Sequence, residues 1–124
     1  ELYVSGRKKD LIIVGGKNIY PQDIENVVME VKGIHPGRAV AFGVYNKDKG
    51  TEDVVVVAEL EPSYAEKKET IEEEIRKHVT QNTAVALQNV FLVDAKWLIK
   101  TSSGKIARSA NKEKYLKAIT NDHV

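Results

Sequence analysis

The apolar positions of this chain change their spacing several times, and each change marks an element. Residues 1–5 and 10–14 read as two short extended segments. A Gly15-Gly16 turn follows, then a third short run at Asn18, Ile19 and Tyr20, which makes a small hairpin. Pro21 stands where a helix favours its first residue, with Asp23 and Glu25 as negative charge in the first turn. Ile24, Val27, Val28 and Val31 recur at helical spacing up to Gly33, which predicts a helix over about 21–32. His35-Pro36-Gly37 reads as a turn. Residues 38–45 and 53–60 read as paired strands joined by the loop Asn46-Lys47-Asp48-Lys49-Gly50. From about 66 to 82 Ile71, Ile75 and Val79 come at four-residue steps beneath a charged face, an amphipathic helix. A further strand is expected at 90–94 and a last helix over 106–119, with Ala107, Ala110, Tyr115 and Leu116 turned inward. Short strands with interspersed helices predict an α+β fold: a small mixed or antiparallel sheet of about three strands, flanked by three helices and preceded by the hairpin.

Composition narrows the setting. A length of 124 residues suits one domain, and 42% hydrophobic with 30% charged residues argues against disorder. The longest apolar stretches, Leu11–Val14 and Val54–Ala58, fall far short of the roughly 18–20 residues that span a bilayer, so no membrane span is expected. Nineteen Lys and Arg against eighteen Asp and Glu leave a net charge of +1, and no global field selects a polyanionic partner. The absence of cysteine excludes disulfides, thiolate metal sites and a cysteine nucleophile, and it fits a reducing cytoplasm. His35, His78 and His123 are far apart, and no metal site is expected. The chain opens on Glu1 and runs straight into a strand-like stretch, which is the expectation for a piece of a longer protein.

Three segments carry candidate chemistry. In Thr101-Ser102-Ser103-Gly104-Lys105-Ile106-Ala107-Arg108, hydroxyls and a glycine precede a lysine whose ammonium can neutralise oxygens that gain charge in acyl or phosphoryl transfer. The same residues also read as a solvated loop with a surface lysine. They are not a P-loop, because Ile99 and Ile106 occupy positions that need Gly and Ser or Thr. In Gly6-Arg7-Lys8-Lys9-Asp10 with Gly15-Gly16-Lys17-Asn18, an arginine can fork to phosphate or ribose oxygens while two glycines admit a ligand close to the backbone. A solvated basic hairpin is the plainer reading. Seven cations against Glu113 alone between Lys96 and Lys117 form a basic tail, which is either a solvated helix face or a polyanion contact. Trp97 reads as a core or interface anchor, and His35 as a turn-packing residue.

Taken together, residues 6–25 (Gly-Arg-Lys-Lys-Asp through Gly-Gly-Lys-Asn-Ile-Tyr-Pro-Gln-Asp-Ile-Glu) resemble the hinge and glycine-loop motif of adenylate-forming ligases. That superfamily comprises acyl-CoA synthetases, fatty acyl-AMP ligases and peptide-synthetase adenylation domains. About eighty residues later, Lys100-Thr101-Ser102-Ser103-Gly104-Lys105-Ile106-Ala107-Arg108 is similar to its Lys-Thr-x-x-Gly-Lys-x-x-Arg motif. Residues 20–25, 35–42 and 51–59 look most like fatty acyl-AMP ligases. The chain departs from the pattern at Ile99, where proline is common, and this predicts a less rigid base to the lysine loop.

The resemblance implies that residues 1–124 form the mobile C-terminal lid domain of an AMP-forming acid–thiol ligase, inactive on its own. A carboxylic acid would be activated with ATP and Mg, held mainly by the enzyme's own large N-terminal domain. The acyl group would pass to CoA or to a carrier-protein phosphopantetheine, with the lid rotating on a hinge between the two steps. It further implies adenylation by Lys105, nucleotide contact by Arg7, a hinge at Lys9, and a pantetheine entry beside Gly15, Gly16, Lys17 and Asn18. Thr101, Ser102, Ser103 and Gly104 would support the lysine loop. The alternative from a different class is a non-catalytic RNA-binding α+β module.

Overall fold

The structure, a computed structural model, describes residues 11–101 and 106–122. A two-stranded hairpin, β1 (Ile12–Val14) and β2 (Lys17–Ile19), leads into helix α1 (Pro21–Val28). Strands β3 (Ile34–Asn46) and β4 (Thr51–Leu60) follow, then a 3-10 turn at Pro62–Lys67 and helix α2 (Lys68–Thr83). Strand β5 (Asn89–Val93) and helix α3 (Arg108–Asp122) complete the order. The sheet runs β3-β4-β5, antiparallel between β3 and β4 and parallel between β4 and β5, so the expected α+β architecture is present with a mixed sheet.

The central strand β4 explains the layering. Residues of a strand alternate between faces, and here both faces are covered, so Val54 to Leu60 are buried without interruption. Val54, Val56, Ala58 and Leu60 join a core built with Ile12, Ile24 and Val28 and with Ile71, Ile75 and Val79 of α2. Val55 and Val57 face the other way, into a second core with Val40, Phe42, Leu98 and Tyr115 of α3. Tyr115 is fixed there by tilted and edge-on contacts to Phe42 and Phe91, with ring centroids 5.6 and 5.3 Å away. Its hydroxyl accepts a 2.8 Å bond from the Asn89 amide.

Three elements differ from the sequence reading, each for a local reason. Helix α1 ends at Val28 rather than near residue 32, and i→i−3 bonds from Glu30 and Val31 turn the chain so that Ile34 can pair with Leu60. Gly33 makes that return possible: its φ is +101°, and a Cβ there would lie 2.6 Å from Ile71 Cδ1. The expected turn at 35–37 is an excursion inside β3, where four residues, 35–38, stand opposite Glu59 between the Ile34–Leu60 and Ala39–Ala58 pairs. Helix α3 begins at Arg108, not at Ile106, because Ile106 bridges to Lys100 and Ala107 donates to the Ile99 carbonyl. Its inward face centres on Asn111 and Tyr115, four residues apart, while Ala110 and Leu116 are half-buried. No helix among the described residues is long and apolar enough to cross a membrane.

Candidate functional site

The glycine hairpin is a tight two-residue turn. Gly15 and Gly16 have φ of +56° and +83°, as a type I′ turn requires at both central positions. An added Cβ would meet nothing within 4 Å at either glycine, so both are needed for backbone conformation and leave the turn open to an approaching ligand. Lys17 and Asn18 are exposed beside it. A groove of about 400 Å³ runs alongside, lined by Lys17, Asn18, Tyr20, Asp23, Asn26 and Asn82. The hairpin is moored from β4. Glu52 Oε1 accepts from the Ile13 N–H at 2.8 Å, while Thr51 Oγ1 accepts from the Gly15 N–H at 2.8 Å and donates to the Ile13 carbonyl at 3.0 Å. The sequence reading placed no role on Thr51 or Glu52, since nothing in their spacing reveals a contact across nearly forty residues.

The lysine loop has a held base. From Trp97 to Ile99 the chain lies outside the sheet, and side chains satisfy its backbone. Lys114 Nζ donates to the Trp97 carbonyl and sits 4.3 Å over the indole ring. Glu59, 1% exposed, accepts the Leu98 N–H at 2.9 Å and lies 3.5 Å from Arg38. Asn111 takes both backbone groups of Ile99: its Oδ1 accepts from the N–H at 2.8 Å and its Nδ2 donates to the carbonyl at 2.9 Å. The base is therefore pinned, contrary to the looseness expected from Ile99. A proline there would lack the N–H that Asn111 uses. Thr101 is exposed just beyond. Arg7, Lys9, Ser102, Ser103, Gly104 and Lys105 lie outside the described residues.

The two motif segments meet through Glu25 and Arg108. Glu25 does not serve the helix N-terminus as expected but turns into the protein. Arg108 Nη2 donates to Glu25 Oε2 at 2.8 Å, its Nε donates to the Ala41 carbonyl at 3.1 Å, and the Ala41 N–H donates to Glu25 Oε2 at 2.8 Å. Ala41 lies on β3, an edge strand, and carboxylate and guanidinium together occupy the backbone groups that a further strand would otherwise take. Of the seven cations in the basic tail, Arg108 and Lys114 thus have internal contacts, and the tail is not a uniform cationic face. No group of three or more His, Asp or Glu side chains among the described residues is arranged to hold a metal ion.

Residues 16–114 match the family model of the AMP-binding enzyme C-terminal domain. The chain belongs to that family. Among curated relatives, the medium-chain-fatty-acid–[acyl-carrier-protein] ligase JamA, from Moorena producens, is 41% identical over 94% of this chain. The long-chain-fatty-acid–AMP ligase FadD26 of Mycobacterium marinum is 36% identical over 93%. The chain spans about a fifth of the length of both, 20% in each case. Two solved structures share the fold. The McyG A-PCP complex with phenylalanyl-adenylate aligns at TM-score 0.84 and 25% identity, covering 94% of this chain and 18% of that one. A fatty acyl-adenylate ligase from a study of the E. coli and L. pneumophila enzymes aligns at 0.73 and 31%, covering 92% and 20%. These relatives lend nothing to the RNA-binding alternative.

Proposed function

We propose that residues 1–124 are the C-terminal lid domain of an ATP-dependent acyl-adenylate-forming ligase, with hinge and glycine loop at 6–25 and the lysine loop at 100–108. The substrate is a fatty or related carboxylic acid. Its carboxylate attacks the α-phosphate of ATP to give acyl-AMP and pyrophosphate; a thiol then takes the acyl group and AMP leaves. The observation that carries this reading is the match of residues 16–114 to the AMP-binding enzyme C-terminal domain, and the Glu25–Arg108 pair joins the ends of both motif segments at one point of the sheet edge. Side-chain bonds thereby link the helix that follows the glycine turn to the helix that follows the lysine loop.

Lys105 is assigned the adenylation step. A positive charge at the phosphoryl and carboxylate oxygens stabilises the charge that develops there, where electrostatic complementarity contributes most. Arg7 is assigned to the nucleotide ribose or phosphate and Lys9 to the hinge. Thr101, Ser102, Ser103 and Gly104 give the loop its reach. Gly15, Gly16, Lys17 and Asn18 are assigned to the entry of a phosphopantetheine arm, a reading supported by the openness of the turn and by the groove of mixed polar and apolar lining beside it. The similarity to JamA, an [acyl-carrier-protein] ligase, supports a carrier protein over CoA as acceptor. Mg, which accompanies ATP, is assigned to the large domain, and the enzyme to the cytoplasm, in keeping with a chain without cysteine. The test is Lys105→Ala in the full-length enzyme. Acid-dependent ATP–pyrophosphate exchange is expected to vanish while supplied acyl-adenylate is still turned over; exchange at the wild-type rate overturns the assignment.

A further inference from the structure

We infer that Asn111 is a positioning residue for the adenylation step, acting through the base of the lysine loop. It lies outside both motifs. Asn111 is 0% exposed, a polar side chain on the inward face of a helix, where an apolar residue is the ordinary choice. Its carboxamide reaches three backbone groups: the Ile99 N–H at 2.8 Å, the Ile99 carbonyl at 2.9 Å and the Ala107 carbonyl at 2.9 Å. Ala107 in turn donates to the Ile99 carbonyl at 3.0 Å, and Lys100 bridges to Ile106. One side chain therefore fastens both feet of the loop that leaves at Lys100 and returns at Ile106. It does so from inside the domain, and its oxygen and both its amide hydrogens have partners.

Its place follows from chain connectivity. Ile106 is the next residue after Lys105 in the sequence, so the lysine loop returns to the foot that Asn111 and the Lys100–Ile106 bridge define. Reaching groups must be held to within a fraction of an ångström, and a displacement of about 1 Å costs on the order of 100-fold in rate. The packing that Asn111 supplies could equally come from leucine. The three directed bonds could not.

This inference rests on the assignment of Lys105 to adenylation, and the experiment separates the two. Full-length enzyme carrying Lys105→Ala, Asn111→Leu or Asn111→Ser is compared with wild type. The readouts are ATP–pyrophosphate exchange, turnover of supplied acyl-adenylate, and amide hydrogen exchange across residues 98–107. Asn111→Leu is expected to lower the kcat of exchange about 10- to 100-fold. The KM for ATP and acyl-adenylate turnover should stay within about twofold of wild type, while the amides of Ile99 and Ala107 exchange faster. Asn111→Ser, whose hydroxyl can make part of the same contacts, should fall between and keeps the test open if leucine prevents folding. If both half-reactions fall by the same factor in the variants that fold, Asn111 is structural only and the inference is overturned. Wild-type exchange in the Asn111 variants, with Lys105→Ala inactive, overturns it while leaving the lysine assignment standing. Exchange undiminished in Lys105→Ala removes the lysine assignment and this inference together.

Discussion

Arg108→Ala is the perturbation whose size the structure specifies best. The guanidinium makes two bonds to Glu25 Oε2, at 2.8 and 3.3 Å, and one to the Ala41 carbonyl at 3.1 Å. The side chains of Arg108 and Glu25 are 24% and 11% exposed, so the pair is shielded but not sealed. Breaking a fully buried pair costs about 3–5 kcal/mol because a charge is left inside without its partner, whereas an exposed pair is worth about 0–1. The intermediate exposure places Arg108→Ala at about 2–4 kcal/mol. With an unfolding entropy of about 2.1 cal/mol/K per residue, that is a fall in Tm of about 8–15 °C for a chain of this length. Scanning calorimetry of Arg108→Ala, Glu25→Ala and the double variant reads both the cost and the coupling. The double variant should be less destabilised than the two singles added, with a coupling energy of about 1–3 kcal/mol. Additive losses would falsify the claim that the two groups act as a pair, and an Arg108→Ala shift under about 2 °C would refute the shielding on which the magnitude rests.

Two further outcomes are expected. Gly33→Ala should destabilise the chain by about 2 kcal/mol or more, since it combines a left-handed backbone with a 2.6 Å approach to Ile71 Cδ1; a melting temperature within about 2 °C of wild type would contradict this. The Asp53 carboxyl is held below its ordinary 3.8, chiefly by the Asn46 amide, against partial desolvation and with help from Lys49. A lowered folded value means that its stabilisation is present above the unfolded pKa and is lost as pH falls through the folded one. Carboxyl NMR should therefore give Asp53 a midpoint below 3.8, moving back toward that value in Asn46→Ala; a midpoint at or above it refutes the turn's effect.

Much of the fold was legible in the sequence because its determinants are local. The alternation of β4 was hidden by burial on both faces, yet its unbroken valines still announced a strand. Ile71, Ile75 and Val79 announced α2 by spacing alone, and Gly15-Gly16 announced the hairpin turn. The misreadings came where a distant partner overrides a local preference. Glu25 looked like a favourable charge at a helix start, but Arg108, 83 residues away, draws it inward. His35-Pro36-Gly37 looked like a turn between elements, but β4 continues opposite it and makes it a bulge. For the site, residue types and order located both motifs, whereas Asn111, Thr51 and Glu52 escaped because each acts on the backbone of a remote segment. Asn111 left one legible trace, an amide four residues before Tyr115 on a face otherwise built to be buried.

The guarded sheet edge also changes what a match to these motifs reports. Glu25 and Arg108 cover the open backbone of Ala41, so a chain that abandoned ligation would still need them to remain folded and to keep that edge from pairing with another molecule. In a homologue that has lost its chemistry, both residues would persist under selection for solubility alone. Their presence certifies an intact domain; under the proposed assignment, competence for adenylation would be read from residue 105 instead.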